Sequence, residues 1–184
     1  MLIQAYASGY FPMADSACGT IRWYTADPRA VLPLDPFHVP SRFRRWLKRA
    51  PFSYSRDRDF AGVMRACGRR KDTWISEAMV RSYERLHQLG YAHSVEVWNE
   101  RELVGGLYGV HLGGAFFGES MFYRESGASK AALVHLAEHL TVQGFRLLEI
   151  QMVTPLTAQF GAELVPRPEY LRLLDHALAI GCLW

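Results

Sequence analysis

Three strand-forming runs, "HSVEVW", "ELVGGLYGV" and "GAFFGESMF", follow one another between Ala92 and about Phe122 with no helical pattern between them. Strands this close in sequence pair antiparallel through short turns, so the block commits the chain to a mainly antiparallel sheet. Its core, from Leu103 to Phe122, holds six glycines and four aromatic rings in twenty positions. Two readings stand. The glycines serve turns and bulges of buried strands, or they leave backbone bare for a ligand.

Helical patterns flank this block. Residues 1 to 9 read as a short helix, "PMADSACGT" as a loop, and "IRWYTADPRAVLPL" as two short strands around the Asp27-Pro28 turn. A basic helix over 41 to 49, a strand at "FSYSR", a helix near 59 to 67 and the loop "GRRKDTWIS" come next. Ser76 is positioned to cap a helix in which Met79, Tyr83 and Leu86 repeat at helical spacing and which Gly90 closes. After the three strands come the helix "ASKAALVHLAEHLTVQG", a buried strand "LLEIQMV" and a closing helix "PEYLRLLDHAL". Helix, three antiparallel strands, helix, strand, helix is an α+β order with helices packed on the sheet. It resembles the order of the acetyltransferase superfamily.

A chain of 184 residues with 49% hydrophobic and 21% charged residues buries a substantial core and is expected to form one main domain. No apolar run reaches the roughly 18 to 20 residues of a membrane span. Met1 leads into "LIQAYASGYF" without a basic region, so no signal peptide is expected and the location is read as cytoplasmic. Cys18, Cys67 and Cys182 are odd in number and lack metal-ligand spacing, which argues against a disulfide framework or a zinc site. Net charge is only +3, but Arg42, Arg44, Arg45, Lys48 and Arg49 cluster within eight residues, and Arg69, Arg70 and Lys71 follow. On a helix, Arg45, Lys48 and Arg49 share one face, with Phe43, Trp46 and Leu47 as anchors. The stripe suits a phosphate backbone or a solvated helix face.

Several motifs bear on chemistry. "HLAEH", His135 to His139, matches the inverted zincin pattern, but His135, Glu138 and His139 fall opposite Leu133, Leu136 and Leu140 and are expected to face water. The loop "RESGAS", Arg124 to Ser129, precedes a helix whose first amides suit an anion, or simply caps that helix. In "LLEIQMV", strand alternation places Glu149 and Gln151 side by side on one face and Leu148, Ile150 and Met152 on the other. Two polar groups in so apolar a strand serve each other or a ligand. An amide oriented by a carboxylate suits donation to a developing oxyanion, while a structural Glu-Gln tie is the alternative.

"LIQAYASGYFPM", "WYTADPRAVLPL", "TWIS", "HSVEVW", "LVGGLYGV", "GESMF", "ASKAAL" and "FGAELVPRPEYL" together resemble the leucyl/phenylalanyl-tRNA-protein transferase family, in its order and over nearly the whole chain. The resemblance implies an acetyltransferase-like catalytic domain, here residues 51–184, that uses no acetyl-CoA and needs no metal or dissociable cofactor. Residues 1–50 are expected to be a remnant of an amino-terminal subdomain carrying the basic helix. The family moves leucine or phenylalanine from aminoacyl-tRNA to proteins beginning with arginine or lysine, marking them for degradation by the N-end rule.

By the same resemblance, Leu107, Phe116, Leu133 and Leu136 line the pocket for the aminoacyl side chain, and Glu119, Glu149 and Gln151 are catalytic. Trp74 stacks on the terminal adenosine, while Arg45, Lys48 and Arg49 grip the tRNA backbone. The glycines admit the aminoacyl ester to the backbone. Strict alternation sends Phe116 and Glu119 to opposite faces, so sharing a cavity requires a bulge, expected at Gly118. Three departures stand out. The chain starts late relative to the family, Glu149 stands where the family has aspartate, and Leu156 stands where it has histidine. An acyl-CoA-dependent N-acetyltransferase using "RESGAS", and a non-catalytic tRNA-binding relative, are the alternatives.

Overall fold

The computed structural model describes residues 2–14, 20–70 and 73–184. Cys18, Lys71 and the middle of the expected "PMADSACGT" loop lie outside the described residues. The elements in chain order are α1 (Leu2–Ala7), β1 (Phe11–Ala14), β2 (Ile21–Tyr24), β3 (Arg29–Leu32), α2 (Ser41–Leu47), β4 (Phe52–Arg56), α3 (Phe60–Gly68), α4 (Glu77–Gln88), β5 (Ala92–Asn99), β6 (Glu102–Leu112), β7 (Ala115–Tyr123), α5 (Ala128–Val142), β8 (Leu147–Glu149), α6 (Pro155–Ala158), β9 (Glu163–Val165) and α7 (Arg167–Leu178).

The architecture is α+β. A seven-stranded sheet runs β4-β5-β6-β7-β8-β3-β9, and every pairing in it is antiparallel except β7 with β8. Hydrophobic clusters cover both faces. On one, Val63, Met79, Tyr83, Tyr170 and Leu174 of α3, α4 and α7 pack against Tyr108, Phe117 and Phe122. On the other, Leu133, Leu136 and Leu140 of α5 pack against Val95, Leu107, Phe116 and Leu148. The expected caps form: Ser76 accepts the Met79 N–H, and Gly90 takes the left-handed conformation that ends α4 (φ +78°).

Three short elements escape the sequence pattern. Residues 11–14 pair with β2 instead of forming a loop, and α6 and β9 appear in "TPLTAQFGAELV". Each has three or four residues, too short for a periodicity to register. The division expected at residue 50 also crosses the sheet, because β3 sits between β8 and β9.

Most glycines of the β6–β7 block serve packing, while Gly118 borders the cavity described below. A Cβ on Gly105 would stand 2.5 Å from the Ala128 Cβ, so bare backbone here lets α5 sit close to the sheet. A Cβ on Gly109 would lie 2.2 Å from the Phe117 carbonyl oxygen and 2.4 Å from the Phe116 ring.

One buried ion pair joins the amino-terminal elements to the sheet. Arg29, 1% exposed, donates from Nη1 to Glu149 Oε1 at 3.0 Å and from Nη2 to the Gly9 carbonyl. The Phe11 and Tyr170 rings lie 5.0 and 4.6 Å from its guanidinium carbon. A single charge thus holds the end of α1, β1, β3, β8 and α7. Removing one partner of a buried pair strands the other charge, so Arg29→Met is expected to destabilise the fold by about 3–5 kcal/mol. The double replacement Arg29→Met with Glu149→Met is expected to recover most of that loss in urea denaturation.

Candidate active site

The sheet comes apart beside β7, and the cavity forms there. β8 pairs with β7 only from Ala115 to Phe117 and ends at Glu149, while β7 runs on to Tyr123. The opening is a cavity of about 710 Å³, within the usual range for a ligand site. Leu107, Leu133 and Leu136 line it on the α5 face of the sheet. Trp74, Tyr108, Ala66 and Phe122 line it on the opposite face. The cavity therefore crosses the sheet, and Gly118, Glu119 and Gln151 border it.

Gln151 does not lie in a strand, contrary to the alternation read from "LLEIQMV". The strand stops at Glu149, Gln151 takes a left-handed φ of +55°, and the Met152 N–H donates back to the Ile150 carbonyl at 2.6 Å. This is a γ-turn with positive φ, a strained conformation that a non-glycine residue keeps only where its surroundings impose it. Glu149 imposes it. Its Oε1 accepts the Gln151 backbone N–H at 2.6 Å, and its Oε2 lies 3.4 Å from Gln151 Nε2. Met152, expected on a buried face, is 60% exposed.

Glu149 itself is fully buried and does not line the cavity. Burial pushes its carboxyl above the usual range, and Arg29 opposes that shift. The expected catalytic pair is thus split by depth, with Gln151 at the wall and Glu149 behind it. Phe116 is likewise not a wall residue. It is fully buried, stacked on Trp184 with ring centroids 5.3 Å apart.

A bulge falls one residue beyond the expected Gly118, and it does not bring Phe116 to the cavity. Tyr108 pairs with Ser120 and Gly109 with Gly118, so Glu119 is the extra residue of β7. The bulge turns Glu119 toward two tyrosines that the sequence reading did not assign to the site. Tyr6 Oη donates to Glu119 Oε1 at 2.7 Å, Tyr83 Oη lies 3.4 Å from Oε2, and the two hydroxyls touch each other. Two phenolic protons can fill only two of these three contacts. A proton on Glu119 fills the third.

Electrostatics agree with that count. Although part of Glu119 borders the cavity, the protein packed around its carboxyl desolvates it, and Glu149 adds repulsion. Its pKa is pushed up to about 8 even though the Tyr6 bond lowers it. Burial raises both phenols well above their ordinary range, so they stay protonated donors.

Arg69 and Arg70, read only as part of a basic cluster, line the cavity, and Arg70 Nη2 bonds Ser120 Oγ at 3.3 Å and the Met121 carbonyl. Leu156 lines the cavity where a histidine was expected. Arg45, Lys48 and Arg49 are exposed and lie outside it. α2 ends at Leu47, with Lys48 as its C-cap in helical dihedrals and the Arg49 N–H bonded to Trp46 O, an i→i+3 bond that tightens the last turn.

Trp46 caps the "RESGAS" loop: a Cβ on Gly127 would lie 2.4 Å from the indole, so that loop does not stand open for a pyrophosphate. "HLAEH" does not converge either. His135 stacks on Tyr54, Glu138 is exposed, and His139, expected in water, is 9% exposed against Trp184. Away from the cavity, Asp57, His87 and His93 have potential ligand atoms within 4.8 Å of one another. The Asp57 oxygens there are already held by His93 Nδ1 at 2.7 Å and the Ser94 N–H at 2.8 Å.

The family model described as leucyl/phenylalanyl-tRNA protein transferase matches residues 31–175, and the model of that protein's N-terminal domain matches residues 1–27. A leucyl/phenylalanyl-tRNA–protein transferase of Salinibacter ruber is 53% identical over 184 residues, covering 100% of this chain and 81% of that relative. One from Gloeobacter violaceus is 50% identical over 182 residues, covering 99% and 94%. Among solved structures, a ribosomal-protein-alanine N-acetyltransferase from Brucella melitensis biovar Abortus 2308 is similar with a TM-score of 0.41 at 20% identity, over 72% of this chain and 94% of that one.

The Glu119 proton gives a pH signature. Between about pH 4.5 and 8 the folded chain keeps a proton that the unfolded chain has released. The stability this group contributes is full below 4.5 and declines as pH rises through 8. Glu119→Gln is expected to remove that decline. Urea denaturation at pH 5 and pH 8.5 should show the wild type losing more stability over the interval than the variant.

Proposed function

Because this chain belongs to the leucyl/phenylalanyl-tRNA–protein transferase family, we propose that it moves leucine or phenylalanine from aminoacyl-tRNA to the amino terminus of proteins beginning with arginine or lysine. The observation that carries this reading is the cavity that crosses the sheet. An apolar pocket lies on one side, an indole on the other, and Glu119 and Gln151 are among the polar side chains that border the cavity. The terminal adenosine stacks on Trp74, a contact worth about 1–3 kcal/mol. The ester passes Glu119 and Gln151, and the leucyl or phenylalanyl side chain enters between Leu107, Leu133 and Leu136. Arg45, Lys48 and Arg49 hold the tRNA backbone beyond the cavity.

The ester is already activated, so the chemistry reduces to deprotonating the acceptor and stabilising charge on the carbonyl. Free α-amines have a pKa of about 7.7–8.0, and Glu119, at about 8, is ionised in a fraction of molecules near neutral pH; in that form it takes the amine proton and returns to its protonated state. The neutral amine then attacks the ester carbonyl while the Gln151 amide, held by Glu149, donates to the oxyanion. As the tetrahedral intermediate collapses, the bond to the ribose oxygen breaks, the new amide forms, and the second amine proton leaves with the ribose hydroxyl. A cationic first side chain beside Glu119 also favours the ionised form of that carboxyl, the form that takes the amine proton. Glu149 acts through Gln151 and is a positioning residue.

Transfer of labelled phenylalanine from tRNA to a peptide beginning with arginine tests this directly. Gln151→Ala is expected to lower turnover by about 10²-fold or more with tRNA affinity unchanged. No transfer by the wild type would overturn the reading. Replacing Arg45, Lys48 and Arg49 together by alanine is expected to weaken tRNA binding and flatten its salt dependence while leaving the fold intact. Equal affinity at low and moderate salt would remove them from the tRNA surface.

A further inference from the structure

The parting of β7 and β8 leaves a strand edge inside the cavity. On the side away from β6, no described strand pairs with β7 beyond Phe117, yet Gly118 to Tyr123 all border the cavity. An unpaired edge is a template for another extended chain.

Ladder parity shows which backbone groups face it. The Arg124 N–H donates to Val104 O at 2.7 Å, so residue 124, and with it Phe122, directs its backbone toward β6. In an antiparallel ladder the alternate residues face the other way, which turns the N–H and C=O of Met121 and Tyr123 into the cavity. Arg70 supports this assignment: its guanidinium reaches across from the end of α3 to bond the Met121 carbonyl.

We propose that this edge binds the first residues of the acceptor polypeptide as an added parallel strand, in the sheet position that β8 vacates at Glu149. The proposal rests on the aminoacyl-transfer reading and names how the acceptor backbone is held. A polypeptide suits the edge because its alternating donors and acceptors match those of Met121 and Tyr123, whereas an RNA backbone offers phosphates. Charge fixes the direction. The α-amine and any cationic first side chain belong beside Glu119, so the chain runs outward from Glu119 toward Tyr123, a residue 65% exposed.

Counted from that end, parallel pairing sets a register. Residue 1 lies opposite Ser120 and accepts the Met121 N–H. Residue 3 lies opposite Phe122, donates its N–H to Met121 O in place of Arg70, and accepts the Tyr123 N–H. At about 3.3 Å per residue the usable edge holds about three residues. Main-chain pairing reads no side chains, so this arrangement leaves acceptor selection to the first residue and lets many different proteins follow it.

The test is a backbone scan of an arginine-initiated peptide with the full-length enzyme and phenylalanyl-tRNA. N-methylation at residue 3, and an ester replacing the amide there, are each expected to lower kcat/KM by about tenfold. The same changes at residues 2 and 4, whose N–H groups point away from the edge, are expected to cost less than about threefold. Equal effects at residues 2, 3 and 4, or none at residue 3, would overturn the added strand while leaving aminoacyl transfer intact. Failure to transfer to the unmodified peptide would instead overturn the underlying functional reading.

Discussion

The Arg29–Glu149 ion pair is the constraint on which the site depends. A charge on a side chain 1% exposed persists only when an opposite charge and further acceptors meet it, and Glu149, the Gly9 carbonyl and two aromatic rings supply them. Meeting those demands places α1, β1 and α7 around the end of β8. The second oxygen of the same carboxylate faces Gln151, and the first also accepts the Gln151 backbone N–H. A group that is costly to bury therefore does double duty: it joins the amino-terminal elements to the sheet and holds a strained turn at the cavity wall.

That turn is why there is a cavity. By leaving the sheet after Glu149, the chain withdraws from β7 and opens a gap that an uninterrupted strand would have closed. Material for both walls comes from distant segments. α5 approaches closely because Gly105 lacks a Cβ, and Tyr6 and Tyr83 converge on Glu119 from α1 and α4. Glu149 also raises Glu119, so the two carboxyls are electrostatically linked although only one borders the cavity.

The departure at position 149 has a structural context. Where the family resemblance implies aspartate, the longer glutamate is accommodated with all of its bonds made, to Arg29 and to both the backbone and side chain of Gln151. Leu156 at the cavity wall adds apolar surface and brings no titratable group. In the proposed mechanism the acid–base work therefore falls to Glu119.

Much was legible in the sequence because local physics decides it. Helix periodicity marked α4 and α5, Ser76 and Gly90 marked the ends of α4, alternation and turns marked β5 to β7, and an out-of-phase carboxylate called for a bulge within one residue of where it falls. Motif resemblance supplied the residues of the apolar pocket and Trp74, and six of the expected residues, Leu107, Leu133, Leu136, Trp74, Glu119 and Gln151, meet in one cavity. What the sequence could not decide is depth and partnership. Phe116 and Glu149 look like wall residues until packing buries them, and Gln151 looks like strand until a carboxylate holds it left-handed. Tyr6, Tyr83 and Arg29 carry no local mark of function, since their partners are 113, 36 and 120 residues away. Periodicity reports which face a residue occupies relative to its neighbours in the chain. Only the tertiary structure decides what lies across that face, because desolvation and hydrogen bonding depend on atoms that distant segments bring.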